Sequence, residues 1–73
     1  MTRDDLVFLV QTKTNKDFNY KNDVYRLSFG TDEKGEYIKF GLLYEERKYY
    51  SFGEFWNEAK IENHFFKEML DIF

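Results

Sequence analysis

Between Val24 and Phe52 apolar and polar residues alternate with the two-residue period of strands, broken by short polar stretches. In a strand that period sends successive side chains to opposite faces. The pattern predicts three strands here and, with residues 18–21 in front, a four-stranded antiparallel meander. Asn22-Asp23 is expected at the tip of the first hairpin, because both residue types tolerate tight turns. That tip sets Tyr20 opposite Tyr25 and Phe18 opposite Leu27 on one face, which Phe29 extends. Thr31 to Gly35 supplies the second turn and Glu36 to Leu43 the third strand, with Ile38, Phe40 and Leu42 on the apolar side. Glu45-Glu46 then forms the third turn, bringing Leu42 opposite Tyr49 and Gly41 opposite Tyr50.

Helical signals flank the sheet. Thr2 followed by Asp5 reads as an N-cap with an acid at the third helical position, and Leu6, Leu9 and Val10 share one helical face. A strand is the competing reading of this run, since Val7, Phe8, Val10 and Thr12 are β-formers; the cap favours a short helix ending at Lys13. At the other end Ser51 and Glu54 have capping-box spacing, and Phe52, Phe55, Trp56 and Ala59 recur at helical intervals. Continued straight, that helix would expose Ile61, Phe65 and Ile72 and bury Glu62 and Asn63. A break near residues 60–63 resolves the conflict, with a second short helix starting at Asn63 or His64. The fold class expected is α+β: a small meander with a short N-terminal helix and a broken C-terminal helical segment packed on one face.

At 73 residues the chain has room for one domain, spanning residues 1–73, and one modest core. Such a chain buries only about 60% of the surface it exposes when unfolded. It has no cysteine, so neither disulfides nor thiolate metal sites reinforce it. Nine Phe, six Tyr and one Trp take their place, each able to bury roughly 150–250 Å². That is more aromatic surface than a small core needs, which points to a partner or a second copy. The longest apolar run, Leu6 to Val10, is far short of a membrane span, and the acids before it fit no secretory signal. A cytoplasmic setting is expected, with no membrane partner.

Charge and motif content restrict the chemistry. A net charge of −3 and a pI near 5.1 disfavour a general nucleic-acid binder. The single histidine, His64, has no nucleophile at a recognisable spacing. Asp32, Glu33 and Glu36 lack the spacing of a calcium loop, and the four glycines are too scattered to cradle a phosphate. The chain therefore reads as non-enzymatic, with no cofactor and no metal.

Two surfaces remain. The sheet face away from the core should carry Lys21, Arg26, Lys39 and Lys48 with Tyr37 and Tyr50 among them, and no acid within the strand centres. Basic and aromatic sheet faces bind single-stranded nucleic acid in several folds, and ordinary solvated faces have a similar composition. The second is the C-terminal segment, where Phe65, Met69, Ile72 and Phe73 could contact a partner, form a homodimer, or complete the core. The leading expectation is a small protein-binding module, an adaptor or a stoichiometric inhibitor. In size and charge it is similar to phage-encoded inhibitors of host nucleases and defence complexes, a likeness of composition with no motif behind it. Nucleic-acid binding through the basic sheet face is the alternative.

Overall fold

The computed structural model describes every residue from Met1 to Phe73. Helix α1 spans Arg3–Thr12, and strands β1 (Lys16–Tyr20), β2 (Asp23–Asp32), β3 (Gly35–Leu42) and β4 (Arg47–Tyr49) follow. Helix α2 covers Phe52–Glu58. The four strands form one antiparallel sheet in the order β1-β2-β3-β4. The α+β meander is therefore present, with its helices on one face. The least extent, 19 Å, is that of one sheet carrying one further layer, about 10 Å apart.

Caps decide the helix starts. The Thr2 hydroxyl accepts from the Asp5 N–H at 3.2 Å, and the Asp5 carboxylate accepts from the Thr2 N–H at 2.9 Å. This reciprocal box offsets the strand propensity of Val7 and Phe8. Lys13 ends the helix in the left-handed conformation, φ 53°. In α2 the Ser51 hydroxyl accepts from the Glu54 N–H at 3.0 Å.

The strand pairings differ in register from those the pattern suggests, although the faces do not. Phe18 pairs with Tyr25 and Lys16 with Leu27, a slip of two residues that puts Lys21-Asn22 in the turn. Ile38 pairs with Tyr49 and Phe40 with Arg47, a slip of four, because residues 43–46 make a wider connection than a two-residue turn. Both slips are even, so every side chain that stays within a strand keeps its face; Lys21, now in the turn, is the exception. Tyr25, Leu27, Ile38, Phe40 and Tyr49 are buried and Phe29 and Leu42 pack against them.

The break after α2 is present, but the chain beyond it is not an α-helix. Lys60–Ile61 (β5) pairs with His64–Phe65 (β6) in a minimal hairpin whose turn residue Glu62 has φ 58°. Two 3₁₀ turns, Phe66–Glu68 and Leu70–Ile72, complete the segment. The reason is burial. The hairpin leaves Glu62 and Asn63 in solvent and drives Ile61 and Phe66 into the core, at 0% and 1% exposure; a continuous helix would bury the polar pair at a cost. Leu6, Phe18, Leu27, Phe55 and Ala59 complete the centre, and apart from the hydroxyls of Tyr25 and Tyr49 no polar side chain belongs to a buried residue. The Met1 amino group donates to the Leu70 and Phe73 carbonyls at 3.2 and 2.9 Å, tying the first residue to the last turn.

Candidate functional site: the open sheet face

Helices cover one face of the sheet, and the other is uncovered. Its side chains come from alternate positions of the four strands, in rows across the register. One row sets Asp17 beside Arg26, and the next sets Ser28, Lys39 and Lys48 side by side. A third pairs Gly30 with Tyr37, next to which lies Tyr50, just beyond β4. Gly30 makes room for the Tyr37 ring: a Cβ at this position would overlap the phenol and push the ring off the glycine. An aromatic covering a cross-strand glycine restores packing that the missing side chain would leave open.

Tyr37 and Tyr50 meet edge to face at 6.3 Å, and the Lys48 ammonium sits 4.5 Å from the Tyr37 ring centroid. Asp32 anchors this group from the end of β2. It accepts from Lys48 Nζ at 3.0 Å and from the Tyr50 hydroxyl at 2.8 Å, while its other oxygen accepts from the Lys34 N–H at 2.8 Å. Lys48 first, then Tyr50, holds the Asp32 carboxyl down at about 2. The same bond raises the Lys48 and Tyr50 pKa values. At the far end of the face Arg26 grips Asp17 with two nitrogens, at 2.9 and 3.3 Å, and lowers its pKa.

Two expectations about this face need correction. Strand β1 begins at Lys16 and β2 runs on to Asp32, so two carboxylates expected in a loop and a turn stand on the face at the strand ends, while the strand centres carry none. Lys21 leaves the face. The register slip puts it in the first turn at φ 56°, where it pairs with Glu62 at 3.3 Å. Of the other expected residues, Arg26, Tyr37, Lys39, Lys48 and Tyr50 lie on the face, with Arg26 and Lys48 already neutralised. Lys39 alone has no carboxylate within 4 Å, and it stands directly opposite Lys48. With Lys48 held by Asp32, Lys39 is the cation of the face left to pair with an anion from outside.

The C-terminal candidates do not form one surface. Met69 is buried, and Phe73 is half-buried with its ring edge-on to Phe18 at 5.3 Å. Phe65 is half-buried between the Lys60 and Lys67 ammoniums, and Ile72 is 57% exposed. His64 is exposed in the β5–β6 hairpin, without a hydrogen-bond partner among the side chains. Asp17, Gly30 and Asp32 are the residues of the open face that sequence reasoning passes over. An Asp two positions before a lysine in TDEKG was the available signal for Asp32, since an Asx turn there extends the strand through it.

The Asp32 anchor yields a pH test. Its folded pKa lies below its unfolded value, so its contribution is complete above about pH 4 and is lost as pH falls toward about 2. Asp32→Asn is expected to be less stable than the wild type at pH 6, with the difference in urea midpoint closing between pH 4 and pH 2. Tyr50→Phe should raise the Asp32 carboxyl pKa read by NMR titration. An unchanged carboxyl titration in that variant would remove Tyr50 from the anchor.

No helix is long and apolar enough to cross a membrane. No family model, curated protein or solved structure matches the chain.

Proposed function

We propose that the chain is a non-enzymatic protein-binding module that works in the cytoplasm and docks through its open sheet face. The observation that carries this reading is Lys39, an uncompensated cation beside the braced Tyr37–Lys48–Asp32–Tyr50 cluster. Rings and a lysine already held in place lose little freedom when a partner arrives. Tyrosines on an exposed face are typical contact residues. The complementary partner is a protein surface that sets a carboxylate against Lys39 and apolar groups against the two tyrosines. Covering such a surface is sufficient for a stoichiometric inhibitor or an adaptor. A phosphodiester backbone is the poorer complement, because it would meet the Asp17 and Asp32 carboxylates on the same face.

The test uses wild type, Lys39→Glu and Tyr37→Ala as parallel baits in host lysate, with mass spectrometry. A protein retained by the wild type and weakened at least about tenfold by each variant is expected. Equal retention by all three sinks the reading. Labelled single-stranded DNA and RNA at low salt provide the control; tight binding that falls steeply with salt would favour the nucleic-acid alternative instead.

A further inference from the structure

On the covered side of the molecule, at the outer edge of α1, Phe8 stands 63% exposed, the most exposed phenylalanine of the chain. It lines a groove of about 520 Å³ with Met1, Leu9 and Phe73, and Asp5 and Lys16 complete the lining. A large apolar side chain beside an apolar groove is an incomplete surface. Neither charged group at the groove is engaged in a salt bridge. Asp5 accepts from the Thr2 backbone at 2.9 Å and has no cation within 4 Å.

We propose that this groove binds a second copy of the chain in a two-fold dimer, Phe8 of each copy entering the groove of the other. Two observations select that occupant. An isologous interface needs a self-complementary surface, and here the projecting ring and the receiving groove are adjacent on one copy. The charges are self-complementary too: in a two-fold arrangement the Asp5 carboxylate meets Lys16 of the partner subunit, and the reverse contact repeats it. A contact confined to this six-residue groove falls at or below the roughly 1,000 Å² that a specific interface buries in total, so the dimer is a weak one, formed in the micromolar range or above. It lies on the opposite side of the molecule from the open sheet face, so each can be occupied without the other.

Analytical ultracentrifugation from about 10 µM to about 1 mM tests it. The expected result is a mass rising from one chain toward two. Phe8→Glu should raise the dissociation constant at least about tenfold, and Lys16→Glu should raise it by a smaller factor. Both residues are exposed, so the monomer should remain folded by circular dichroism. Amide NMR shifts of the wild type on dilution provide a reading that needs no variant; residues 5, 8, 9 and 16 should move, and Lys39 should not. A wild type that stays monomeric at about 1 mM overturns the proposal, as it would if another protein fills the groove. A dimer indifferent to Phe8→Glu, or dilution shifts confined to other residues, overturns it equally.

Discussion

Phe66→Ala is expected to leave most of the chain unfolded at 25 °C. Phe66 is 1% exposed and packs against four other rings, with centroids 5.1 Å from Phe18, 4.6 Å from Phe40, 6.1 Å from Phe55 and 5.9 Å from Phe73. It therefore joins strands β1 and β3, helix α2 and the last turn in one contact set. Removing a buried phenyl ring costs about 3–5 kcal/mol. A domain of 73 residues has a total stability of roughly 4–11 kcal/mol, with small chains toward the lower end. Toward the lower end of that range, the loss is comparable with all the stability available. Far-UV circular dichroism with urea titration measures it. A cooperative transition within about 1 kcal/mol of wild type would show that the 3₁₀ segment is an accessory to the core and not part of it. Phe8→Ala is the matched control, since that ring is exposed and its loss should be nearly neutral in the monomer.

Gly41→Ala has the second largest expected effect. Gly41 lies in β3 at φ 151°, where side chains are strained, and a Cβ there would come 3.0 Å from the Glu46 Cα and 3.3 Å from the Glu45 carbonyl oxygen. Both neighbours are backbone and cannot rotate away. The position is where the wide 43–46 connection folds back against its own strand. Strain of this kind costs about 1–3 kcal/mol, and relief requires the connection to move, which would disturb the Phe40–Arg47 pairing. A urea midpoint lowered accordingly, with amide shifts concentrated in residues 41–47, is the expected outcome. A midpoint equal to that of wild type would mean that the connection adjusts freely.

The open face shows how far the sequence reading reaches. Parity alone groups Lys21, Arg26, Tyr37, Lys39, Lys48 and Tyr50, and the structure keeps all but Lys21 on one face. The pairing of its charges is not legible in the pattern, because the two carboxylates belong to residues that read as a loop and a turn. Asp17 joins the face only when β1 starts at Lys16, and Asp32 only when β2 outlasts Gly30. Strand ends are set by hydrogen-bond closure at the turn, which leaves little trace in a hydrophobic pattern. Lys21 failed for the same reason. Its place on the face depended on a turn one residue later than the real one.

What the sequence determined by itself is the faces and the caps. The two-residue period assigns each strand side chain to the core or to solvent, and the Thr2–Asp5 and Ser51–Glu54 spacings start the helices locally. The conflict between Ile61 and Glu62–Asn63 also marked the break, since burying polar groups is costly whatever follows. Tertiary structure alone decided the register, the hairpin after α2 and the partners of each charge. A slip of two or four residues changes no face, so the choice falls to turn geometry and to how Phe18, Phe40, Phe55 and Phe66 pack together. That packing leaves Lys39 opposite Lys48 while Asp17 and Asp32 neutralise their neighbours.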